Sequence, residues 1–97
     1  MGLRQYQGLV HRGAIASLAD TAATFAALTA VPDGMDVVTI EFKLNFLVPF
    51  KSGRALAVGQ IVRLGHRICT ADVRIVAAHE IAAVGLFTMM CLPSKSA

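Results

Sequence analysis

The sequence predicts an α+β domain in which one long apolar helix is wrapped by a four-stranded antiparallel sheet. Three observations carry this. Residues 14–30 are rich in alanine and are closed by the breakers of "VPDG". Residues 36–47, "DVVTIEFKLNFL", alternate strictly between apolar and polar positions until the last. Three further apolar stretches follow, separated by short turn signals.

Each element can be justified in order. Residues 1–12, "MGLRQYQGLVHR", show no clear period and are expected to form a lead-in loop. Gly13 then opens the helix, which runs to about Ala30, where Pro32 and Gly34 end it. A helix that is apolar on nearly every face belongs at the centre of a domain. Its length approaches that of a membrane span, but Asp20 and several hydroxyl residues interrupt it, and alanine outweighs leucine and isoleucine. A packed core helix is therefore expected, with no membrane partner. The first strand sends Val38, Ile40, Phe42, Leu44 and Phe46 to one face and Val37, Thr39, Glu41, Lys43 and Asn45 to the other. Residues 54–64 form the second strand, "GH" a short turn, 67–77 the third strand, "AHE" another turn, and 81–92 the fourth strand. The terminal "PSKSA" reads as a frayed tail.

Composition narrows the function. A chain of 97 residues is enough for one domain. With 56% hydrophobic and 15% charged residues it is too apolar for disorder. Small domains bury a modest share of their surface, so the apolar surplus predicts a core partly shared between subunits of a homo-oligomer. The net charge is +3, with no basic run, no Trp and one Tyr, a poor footprint for nucleic acid. Cys69 and Cys91 lie in apolar strands and match no metal-binding spacing. They read as buried thiols in a reducing cytoplasm, with no metal expected.

One residue stands out. Asp20 is a lone carboxylate in the middle of the apolar helix, and ionised carboxylates are seldom buried without a partner. It is the natural candidate for a general base or a nucleophile.

The stretches "GLVHRGAIASLADTAATFAAL" and "VVTIEFKLNFLVPFKSGRALAVGQIVRLGHR" resemble the PaaI-like acyl-CoA thioesterases of the hotdog fold, over roughly residues 8–92. The shared pattern is His11-Arg12-Gly13, Asp20 nine residues after the His, and the turn Asn45-Phe46-Leu47-Val48-Pro49. Two departures are visible. Arg12 stands where the family usually has glycine, and the helix and strand that precede the motif in the family are missing, so residues 1–97 read as a single, N-terminally shortened hotdog domain.

The resemblance implies an acyl-CoA thioesterase that releases a carboxylic acid and free coenzyme A. The backbone N–H of Arg12, with Gly13, would polarise the thioester carbonyl at the start of the helix. Asp20 would carry the hydrolysis step. Thr39 would hold the attacking water, facing Asp20 from the other subunit of a dimer. His11 would orient substrate or motif backbone. Lys43, Asn45, Arg63, His66 and Arg67 are candidates for coenzyme A binding, since its phosphates favour basic groups. No cofactor is implied beyond coenzyme A as part of the substrate. The resemblance further implies a homodimer or a dimer of dimers, with residues 36–47 paired across a two-fold axis. The alternatives are a catalytically inactive truncated remnant, an acyl-CoA binding module, and, less well supported, a hotdog dehydratase.

Overall fold

The computed structural model describes residues 3–49 and 54–94, with side chains described from Arg12 onward. It contains one helix, α1 (Leu3–Ala30), followed by β1 (Met35–Phe46), β2 (Ala55–Leu64), β3 (Ile68–Ala77) and β4 (Glu80–Pro93). The strands form one antiparallel sheet in the order β1-β4-β3-β2. The α+β architecture and the strand positions agree with the sequence expectation, the strand ends to within about one residue.

The helix approaches the sheet through a narrow stripe. Ile15, Ala19, Ala23 and Ala27 recur every four residues and are buried. Small side chains let the helix backbone come close. A Cβ on Gly59 of β2 would lie 2.6 Å from the Ala22 carbonyl oxygen, so only glycine fits beneath that turn. The rest of the core comes from the central strands: Cys69, Ala71, Val73 and Ile75 of β3, and Ala83, Phe87, Met89 and Cys91 of β4. Phe87 is the largest side chain buried completely. Phe42 of β1 stacks on it, with ring centroids 4.9 Å apart and planes 4° from parallel. Cys69 and Cys91 are both free thiols inside this core. Burial, and after it the neighbouring Cys91, pushes the Cys69 thiol up.

Three expectations need correction. The helix begins at Leu3, ten residues before Gly13, and residues 3–12 belong to it rather than to a lead-in loop. Their Leu, Arg and Gln residues favour helix, and they contain no proline, so backbone propensity prevails without an apolar period. The helix is also not covered on every side. Phe25 is 63% exposed, and Leu28 is exposed as well. The stretch Arg12–Ala30 is long and apolar enough to cross a bilayer by length and composition, yet here it lies along the sheet.

The third correction concerns β1. Its pairing with β4 shifts between Thr39 and Glu41, leaving Ile40 as the extra residue of a β-bulge. The bulge reverses the alternation. Met35, Val37 and Thr39 face the helix before it; Phe42, Leu44 and Phe46 do so after it, opposite Phe87, Gly85 and Ala83. Thr39 and Phe42 therefore share a face that strict alternation would have denied them, while Glu41, Lys43 and Asn45 turn to the outer side.

Candidate active site

Chain geometry brings Asp20 and Thr39 together. From Asp20 to Ala30 the helix rises about 15 Å. The chain reverses through residues 31–34, and β1 returns about 13 Å between Met35 and Thr39. The two side chains arrive at the same level, and the Thr39 hydroxyl donates a 2.7 Å hydrogen bond to Asp20 Oδ1. Both residues are partly buried. The pair forms within one chain, which corrects the expectation that Thr39 would face Asp20 from a second subunit. Among the described residues no Lys or Arg pairs with Asp20, so the carboxylate is oriented by a neutral donor and keeps Oδ2 for another ligand.

The pair lies in an open groove of about 590 Å³ between α1 and β1, lined by Ala16, Ser17, Asp20, Thr39, Ile40, Glu41 and Phe42. The groove exists because β1 is an edge strand, bonded among the described strands only to β4, while the helix packs most closely on β2 and β3. Ala16 leaves space where a larger residue would fill it, and Phe42 supplies an apolar wall. Sequence reasoning missed Ser17, Glu41 and Phe42 as lining residues. Ser17 was detectable, one helical turn before Asp20. Phe42 depends on the bulge, which leaves no mark on the alternating pattern.

The other predicted residues are distributed unevenly. Arg12 and Gly13 lie inside α1 rather than at its N-terminus. Their N–H groups fall within the helical ladder, where such groups are ordinarily bonded to carbonyls one turn back. The Arg12 side chain crosses to β1, with its guanidinium carbon 5.9 Å from the centroid of the Phe46 ring. The side chain of His11 lies outside the described residues. Lys43 and Asn45 are on the outer face of the sheet, beside Val84, Gly85 and Leu86, around a hollow of about 220 Å³. His66 lines a separate cavity of about 540 Å³ at the C-terminal end of the helix, with Pro32, Asp33, Met35, Leu64 and Cys91 among its walls. Arg63 and Arg67 are exposed at that same end. The five candidates for coenzyme A binding thus fall into two groups, and neither lines the Asp20 groove. Among the described residues no cluster of three or more His, Cys, Asp or Glu side chains could hold a metal ion.

A long helix cradled by a four-stranded antiparallel sheet is the architecture of the hotdog fold. The matches to known proteins agree: a profile of the thioesterase superfamily covers residues 7–83, and the chain belongs to that superfamily. The thioesterase HI1161 from Haemophilus influenzae superposes with a TM-score of 0.81 at 25% identity, over 86% of this chain and 59% of that one. The BH2602 protein from Bacillus halodurans, solved with CoA, superposes with a TM-score of 0.78 at 27% identity, over 82% of this chain and 57% of that one. Among curated relatives, the Saccharolobus solfataricus protein named "Putative esterase SSO2140" is 39% identical over 66 residues, 68% of this chain and 46% of its own. The chain spans about half the length of the curated relatives it matches.

Proposed function

We propose that this domain hydrolyses acyl-CoA thioesters to a carboxylic acid and free coenzyme A, with Asp20 as the reacting carboxylate. The observation that carries the proposal is the Thr39 hydroxyl bond to Asp20 Oδ1 inside an otherwise largely apolar groove. A carboxylate fixed through one oxygen presents the other in a defined direction. As general base, Asp20 takes a proton from water while the water oxygen bonds to the carbonyl carbon. The C–S bond then breaks, and the thiolate recovers the proton. As nucleophile, Asp20 bonds to the carbonyl carbon directly and expels the thiolate, and water cleaves the resulting anhydride. Ala16 and Phe42 offer an apolar bed for the acyl group. Support for coenzyme A as the carrier comes from the relative solved with CoA.

In the continuous helix the Arg12 and Gly13 amides lie two turns from Asp20 and within the helical ladder, so a role for them in polarising the carbonyl would require the helix to open ahead of Gly13. A homodimer through β1 completes the proposal. This strand has an open edge, and Val38 and Ile40, both about half exposed, extend its apolar surface.

Asp20→Asn tests the chemistry. It should lower turnover of acyl-CoA esters by about a hundredfold or more while leaving the circular dichroism spectrum unchanged. Equal turnover in both proteins would sink the assignment. The second reading, an acyl-CoA binding module without hydrolysis, is favoured by the position of the Arg12 and Gly13 amides inside the helix. Tight binding of acyl-CoA by the native chain, without release of free thiol, would establish it.

A further inference from the structure

Beyond the residues that line the groove, along the same side of α1, stands a cation that the hydrolysis chemistry does not use. Arg12, Ala16 and Asp20 recur every four residues and form one stripe of α1 facing β1. Phe42 and Phe46 answer them on the helix-facing side of β1. The Arg12 guanidinium lies over Phe46, one helical turn beyond Ala16. Asp20 is eight residues further on, about 12 Å along the helix axis. Between the two charges lie an alanine and an aromatic wall.

This cation is uncompensated. All six Asp and Glu side chains of the protein belong to the described residues, and none forms an ion pair with Arg12. Asp20 is two helical turns away and forms no ion pair with it. The guanidinium is also preorganised. Contact with an aromatic face restricts its orientation and leaves its N–H edges available to a planar or tetrahedral anion.

Building on the thioesterase proposal, we infer that Arg12 is a specificity-determining residue that recognises an anionic group of the thioester substrate, displaced from the thioester by an apolar spacer. A carboxylate at the far end of the acyl chain and a phosphate of the coenzyme supply the same chemistry. Either would pair with the guanidinium while the thioester carbonyl lies at Asp20 and the apolar spacer lies along Ala16 and Phe42.

The test measures binding, so it needs no turnover. Four thioethers, which cannot be hydrolysed, serve as probes: octyl and ω-carboxyheptyl thioethers of coenzyme A, and the same two of pantetheine. Calorimetry gives their dissociation constants for the native chain and for Arg12→Gln. If the acyl carboxylate is recognised, the native chain prefers each carboxylated probe over its octyl partner by about tenfold, and Arg12→Gln abolishes that preference. If a phosphate is recognised, the preference is for coenzyme A probes over pantetheine probes, and it is lost in the same variant. Preferences that are absent, or the same in both proteins, overturn the inference, as does failure of all four probes to bind. Arg12-dependent preference in a chain that hydrolyses no thioester would instead overturn the hydrolase proposal and leave this inference standing.

Discussion

The Thr39 hydroxyl donates to Asp20 Oδ1 at 2.7 Å, joining the first strand to the middle of the helix within one chain. Replacing Thr39 by Val keeps the shape and removes the donor. A hydrogen bond to a charged group contributes about 1.5–3 kcal/mol, so kcat should fall by roughly 10- to 100-fold. Thr39→Ser retains a hydroxyl and should preserve most of the rate. Steady-state kinetics on the three proteins decide the matter, and equal rates for Val and Ser would show that the bond is catalytically idle.

Gly13→Ala separates two pictures of the helix. Nothing lies within 4 Å of a Cβ placed there, and alanine in a helix interior is favoured over glycine by about 1 kcal/mol. The melting temperature should therefore rise. If the amides of Arg12 and Gly13 act only when the helix opens, turnover should fall in the same variant. A stabilised protein with unchanged kcat would remove these amides from the mechanism.

Gly59→Ala should destabilise the domain. The new methyl would lie 2.6 Å from the Ala22 carbonyl oxygen and 2.9 Å from its carbon, and backbone cannot swing aside as a side chain can. Overpacking of this kind costs about 1–3 kcal/mol. Urea unfolding should show a lower midpoint, and an unchanged midpoint would mean that the helix and β2 are not in close contact.

The β3–β4 hairpin carries an opposite opportunity. Its two-residue turn holds Ala78 at φ 51° and His79 at φ 65°, both in the left-handed region. A type I′ turn calls for such angles and is normally built from Asn and Gly. Replacing the pair by Asn-Gly should raise stability by about 1–2 kcal/mol, visible as a higher denaturation midpoint. A decrease would show that these side chains make contacts outweighing their strain.

Much of this architecture was legible in the sequence, for reasons that can be named. Pro32 and Gly34 end a helix wherever it began, and the period of two in residues 36–47 admits only a strand. The helix start was hidden because residues 3–12 have helical propensity without an apolar stripe, and periodicity detects burial rather than backbone conformation. The bulge at Ile40 was hidden because "TIEF" alternates in the same way whether or not a residue is looped out of the ladder. The family resemblance makes Asp20 and Thr39 partners but places them in different subunits. The rise of a helix set against the rise of a strand places them together in one chain, and that arithmetic needs only the turn at residues 31–34.

The strand order has a kinetic consequence. Of the four described strands β1 is made first, yet its sheet partner among them is β4, the last of the four to be made. During translation the β2–β3 hairpin can zip up by local pairing, while β1 waits with both of its edges unpaired until residues 80–93 have emerged. The Asp20–Thr39 contact spans only 19 residues and does not share that delay. It offers the nascent chain a clasp that holds the waiting strand against the helix, keeping it from the intermolecular pairing to which an unpartnered strand is prone.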